Sequence, residues 1–254
     1  MLGNKMKNKD LKIALIFAAI GLIASFFSGQ YQATIISEEL KQQILSRVGS
    51  MEAMMLIAAV QGAVYTFLSA FIGLKLARKV NLKLNFKFDK NSIGLALVIG
   101  LAVAIVITGS DRFIFAEYLT PQIMPYVFSP SYLVTGILYG GIVEELLLRL
   151  FVMSLLVLVL WKLFARSKKN DAIPNWIYIS AIILAAALFA AGHLPITAQM
   201  FGLSTPIVIR CFVLNGIGGI GFGYLYWKKG LAYSMCAHAA THIFMQVVLL
   251  PILY

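Results

Sequence analysis

Five ionisable side chains stand inside apolar stretches of this 254-residue chain: Glu144, Glu145, His193, His238 and His242. A charge at the centre of a bilayer costs about 2.5–3.5 kcal/mol even on a lenient insertion scale, so residues of this kind are candidates for chemistry. They include every histidine of the chain, which concentrates its proton-handling groups in a few segments. In the stretch GGIVEELLLRLF, Glu145 and Arg149 are four residues apart and can pair along one helix face. Glu144 points about 100° away from Glu145 and is left without a local partner. A lone buried carboxylate is hard to justify on stability grounds, although the bland alternative is that all three only stabilise helix packing. His238 and His242, in CAHAATHIF, share one helix face, the arrangement of paired metal ligands or of two donors aimed at one oxygen. His193, in LFAAGHLP, stands at a helix end and by itself reads as an interfacial histidine. Arg210 and Asn215 are further polar residues within a span, and the sequence assigns neither a partner.

The elements that must carry these groups are membrane helices. The chain is 61% hydrophobic and 12% charged, with mean hydropathy +0.88, against about 45–50% and about 25% in soluble domains. A span needs about 20 mostly apolar residues. Seven stretches qualify or nearly so: Leu11 to Gly29, Ala53 to Leu76, Ile93 to Gly109, Ser131 to Ala165, Trp176 to Gly192, Leu203 to Tyr226 and Leu231 to Tyr254. Barrel strands would show dyad alternation, which these runs lack, so the expected fold is an all-α polytopic bundle of about seven spans in a single domain, residues 1–254. The fourth run is too long for a bilayer and is expected to tilt, to break near Gly140 and Gly141, or to project.

The net charge of +11 comes from clusters between apolar runs, which fits a membrane protein and not a nucleic-acid binder. Lys5, Lys7, Lys9, Lys12, Lys75, Arg78, Lys79, Lys83, Lys87, Lys90, Lys162, Arg166, Lys168, Lys169, Lys228 and Lys229 fall on one side, and Lys41, Arg47 and Arg112 on the other. The asymmetry predicts a cytoplasmic amino terminus and an external carboxyl terminus. The first run reads as a retained helix, since Phe26, Phe27 and Gln30 make a poor cleavage site. Cys211 and Cys236 read as small buried hydrophobes. Val80 to Phe88 is expected to be a solvated basic loop rather than a headgroup-lying segment. Gly216, Gly218 and Gly221 match dinucleotide-binding spacing by chance, without a preceding strand, whereas Gly219 and Gly223 suit close helix packing.

In motif content the chain resembles the CPBP family (CAAX protease and bacteriocin-processing, or Abi) of intramembrane endopeptidases. The family's EExxxR corresponds to Glu144, Glu145 and Arg149, its FxxxH to Phe189 and His193, and its HxxxN or HxxxD to His238 with His242 in the last place. The resemblance covers Ser131 to Tyr254 and implies peptide-bond hydrolysis within a membrane cavity, on a membrane-associated peptide or protein. It casts Glu144 as the base that activates water, with His193 orienting it; apolar surroundings strengthen a carboxylate as a base. It casts His238, with residue 242, as donor to the oxyanion. Glu145 and Arg149 would support the site and Phe189 would pack beside it. Because imidazole is a good zinc ligand, His193, His238 and His242 with Glu144 as base form an alternative zinc site, although no cofactor is favoured. The location implied is a bacterial or archaeal cell membrane. Two other readings compete: a non-catalytic membrane regulator or immunity factor on the same fold, and an ion-coupled transporter with a proton relay.

Overall fold

A computed structural model describes residues 2–87, 89–119, 126–165 and 172–254, with side chains from residue 8 onward. Phe88 and the basic residues Arg166, Lys168 and Lys169 lie outside the described residues. The chain is all-helical there: α1 (Leu2–Ile35), α2 (Glu38–Val48), α3 (Met51–Lys79), α4 (Lys90–Phe113), α5 (Pro130–Phe164), α6 (Asn175–Gly192), α7 (Leu194–Phe201), α8 (Thr205–Lys228) and α9 (Leu231–Leu253). Seven helical stretches, α1 (from Asn8), α3, α4, α5, α6 with α7, α8 and α9, are long and apolar enough to cross a membrane. The expected spans are therefore present, generally with longer ends. The short polar helix α2 was not anticipated, because its charged sequence lacks an apolar run. Ser37 and Ser50 cap α2 and α3 by accepting from Leu40 N and Ala53 N.

α1 and α3 approach closely because small residues face each other. A methyl group on Gly62 would lie 1.7 Å from Ser25 Oγ, so only glycine admits this contact. The main buried apolar cluster joins α1, α3, α5 and α6 through residues such as Phe17, Leu74, Leu150 and Ile177. Outward positions such as Val60, Val64, Ile179 and Ile183 stay exposed, as a surface facing lipid tails requires. Gly219 and Gly223 of α8 do serve close packing: methyls there would lie 2.8 Å from Ala186 Cβ and 3.0 Å from Ile182 Cγ2 of α6.

One alternative and one expectation are set aside. α5 does not break at Gly140 and Gly141, one of the three outcomes open to the overlong fourth run; it continues through widened π-type turns over Thr135–Glu144 and Leu146–Met153. Nor is the segment after α3 a free solvated loop. Val80 and Leu82 are buried, Lys83 O and Leu84 O accept from Leu231 N and Ala232 N, and Asn85 Nδ2 donates to Lys229 O. The α3–α4 connection thus plugs the α8–α9 turn and fixes the start of α9. Asp89 caps α4 at Ser92, and the Ser92 hydroxyl and neighbouring N–H groups hold its carboxyl below the ordinary value.

Candidate active site

The predicted residues come together where α5, α6, α8 and α9 meet. Gly136, Gly140 and Gly141 of α5 admit the imidazole face of α9. A methyl on Gly140 would lie 2.9 Å from His242 Nε2 and 3.2 Å from His238 Nε2, and one on Gly141 would lie 2.9 Å from Ala239 Cβ. The glycines at which α5 could have broken instead make room for two histidines.

Glu145 is fully buried and anchors the cluster. Its Oε1 accepts from His238 Nδ1 at 2.9 Å, its Oε2 accepts from the Ser234 hydroxyl, and the same oxygen lies 3.4 Å from Arg149 Nε. Arg149, also fully buried, donates to Gly219 O at 3.4 Å and sits over the rings of Phe189 and Phe222, 4.7 and 5.5 Å from their centroids. The i,i+4 pair read from the sequence is present, and it is one edge of a larger buried network. With a carboxylate accepting at Nδ1, neutral His238 carries its proton there and presents the Nε2 lone pair.

Glu144 is partly exposed, its side chain at 20%. Its two oxygens face two imidazoles from different helices: Oε1 lies 4.0 Å from His193 Nε2 and Oε2 lies 3.8 Å from His238 Nε2. These separations exceed a direct hydrogen bond, the range in which a bridging water should be considered. His193 closes α6; its Nδ1 bonds the carbonyl of Phe189 at 2.8 Å, which turns Nε2 towards Glu144. Phe189 touches both histidine rings edge-on, with centroids 4.6 Å from His193 and 5.8 Å from His238.

His242 stacks on His238 with centroids 5.3 Å apart, and its Nδ1 lies 3.4 Å from Gln246 Nε2. Among the described residues, no group of three or more His, Cys, Asp or Glu side chains is gathered so as to hold a metal ion as they stand. Arg210 and Asn215 lie outside this cluster. Arg210 makes a two-pronged pair with Asp111 of α4, both bonds 2.6 Å, and Asn215 donates to Cys211 O.

Sequence reasoning missed Ser234, Gln246 and Phe222, which stacks on His238 at 4.5 Å. The first two were detectable: Ser234, His238, His242 and Gln246 follow one another at intervals of four residues on α9, so they form one polar stripe. Phe222 carries no such signal.

With this arrangement established, comparison with known families is informative. Residues 125–244 match the model of a family described as Rce1-like, type II CAAX prenyl endopeptidase Rce1-like. This segment is of the CPBP family. All the motif residues, from Glu144 to His242, lie inside the match, and the CPBP assignment supports an intramembrane protease acting on a membrane-associated protein. Neither curated proteins nor solved structures gave a match. The segment containing α1 to α4 lies outside the CPBP match.

Proposed function

We propose that the chain is a glutamate-dependent intramembrane endopeptidase that hydrolyses a peptide bond in a membrane-associated peptide or protein. The observation that carries this reading is the placement of Glu144 between the Nε2 atoms of His193 and His238. A water in that space donates one proton to Glu144 and is oriented by His193 Nε2. Its oxygen attacks the scissile carbonyl carbon, and the carbonyl oxygen becomes the oxyanion. Nitrogen then leaves as the amine, taking the proton that Glu144 received, and the new carboxylic acid passes its proton to that amine, so one water and one peptide bond yield one carboxylate and one ammonium group.

The oxyanion needs N–H donors. His238 donates from Nε2 when it is protonated at both nitrogens, and Glu145 faces the resulting cation at Nδ1. As oriented, the Gln246 amide donates to His242 Nδ1 and leaves the ring proton on Nε2, beside that of His238. An imidazole so held offers one neutral N–H donor, the service an Asn amide gives in relatives. Arg149 and Glu145 hold His238 in position and are positioning residues. No cofactor is required by this scheme, and the distribution of lysine and arginine supports a cytoplasmic amino terminus.

The test is Glu144→Gln in purified protein reconstituted into lipid, assayed with a farnesylated CAAX peptide and with an unmodified transmembrane peptide. Cleavage of either should fall by at least about 100-fold, in keeping with loss of a general base, while the melting temperature is kept. Undiminished cleavage would sink the assignment.

A further inference from the structure

A second polar feature lies where α1 and α3 meet α5, and of its lining residues only Tyr139 falls inside the segment that matches the family. A cleft of about 200 Å³ runs between α1 and α3 and ends at α5; Ser25, Ser28, Gln32, Gln61, Tyr65 and Tyr139 line it. Ser25 and Ser28 are buried on α1, three residues apart, whereas Gln32 of α1 and Gln61 and Tyr65 of α3 stand exposed at the mouth of the cleft. Tyr65 is at the middle of the 29-residue α3, and Gln61 is one turn away. Polar side chains at that depth are costly unless they line a polar path or bind something. Ser25 is 4% exposed, yet its hydroxyl has no hydrogen-bond partner. Gly62 is the residue that makes room for it, since any side chain there would strike Ser25 Oγ.

The lining is neutral, with hydroxyls and primary amides and no charged residue. A phosphate headgroup would call for Lys or Arg, and a cation for carboxylates. Primary amides and hydroxyls offer both donors and acceptors, the complement of a peptide backbone that enters a membrane without secondary structure. The cleft also leads to the reacting groups: Tyr139 precedes Glu144 by five residues in the π-wound part of α5, where i to i+5 bonds place such residues on one face.

From this juxtaposition we infer that the cleft between α1 and α3 binds the extended backbone of the substrate next to the scissile bond and feeds it to Glu144. This inference rests on the endopeptidase reading and adds a substrate requirement: a short unfolded segment with free amide groups. Gln61 and Tyr65 are the residues that pair with it, and they determine affinity without touching the reacting atoms.

The experiment uses the full chain in lipid nanodiscs and a farnesylated CAAX peptide carrying a benzophenone side chain close to the cleavage site. Crosslinks made with the Glu144→Gln variant should map to residues 25–32 and 61–65. Gln61→Leu and Tyr65→Phe should each raise KM roughly 2- to 10-fold with kcat unchanged. If wild type cleaves and Glu144→Gln does not, crosslinks confined elsewhere with unaltered KM overturn the inference and leave the protease reading standing; the cleft then holds only water or lipid. If wild type fails to cleave, or Glu144→Gln cleaves equally well, the protease reading falls and the inference falls with it.

Discussion

Neutralising Glu145 should damage stability far more than neutralising Glu144, although the two are adjacent in sequence. Glu145 is fully buried with Arg149, His238 and Ser234 around it, whereas the Glu144 side chain is 20% exposed and has no contact shorter than 3.8 Å to an ionisable nitrogen. In Glu145→Gln the amide oxygen can still accept from Ser234, but the Arg149 cation loses its only facing carboxylate within 4 Å among the described residues. Its Nε and Nη1 already lack hydrogen-bond partners, so little remains to compensate it beyond the Gly219 carbonyl and the two phenyl faces. Removing one partner of a buried pair costs about 3–5 kcal/mol, which for a chain of this size lowers the melting temperature by on the order of 10 °C. The double variant Glu145→Gln, Arg149→Met removes the stranded charge and should regain most of the loss, because replacing both partners by uncharged groups is often neutral. The assay is thermal unfolding of the four proteins in one detergent, followed by intrinsic fluorescence. A Glu145→Gln protein that melts with wild type, or a double variant no more stable than either single one, would refute the account of Glu145 and Arg149 as a coupled buried pair.

Two further outcomes bear on the imidazole face of α9. Gly140→Ala puts a methyl 2.9 Å from His242 Nε2 and 3.2 Å from His238 Nε2, below ordinary contact distance. The rings must shift, and turnover should fall roughly 10- to 100-fold with the chain still folded; full turnover would show that the Nε2 atoms play no part. Active wild-type enzyme should keep its cleavage rate after chelation and dialysis, and His242→Asn should retain activity within about 10-fold, because the amide N–H replaces the donor of similar strength. Stoichiometric zinc by mass spectrometry, lost together with activity in His242→Asn, would replace the carboxylate scheme with the zinc alternative.

The sequence by itself determined the solvent, the class of fold and which ionisable residues the structure gathers in one place. Apolar runs long enough to span leave the backbone no option but helices, because unpaired amides are prohibitive in lipid, and the seven runs reappear as α1, α3, α4, α5, α6 with α7, α8 and α9. The same cost made Glu144, Glu145, His193, His238 and His242 conspicuous. Helical spacing also correctly paired Glu145 with Arg149 and placed His238 and His242 on one face. Tertiary structure decided what spacing along one helix cannot express. Glu144 has its neighbours on α6 and α9, Glu145 reaches across to Ser234 and His238, and Arg210 finds Asp111 on α4. Gly140 read as a weak point in an overlong helix, and became a space for imidazoles only once α9 was packed against α5. Ser25 and Gln61 stand in separate, otherwise ordinary spans; the contact of α1 with α3 turns them into one cleft. Local periodicity is fixed by backbone geometry, while the meeting of faces depends on how all the helices pack together.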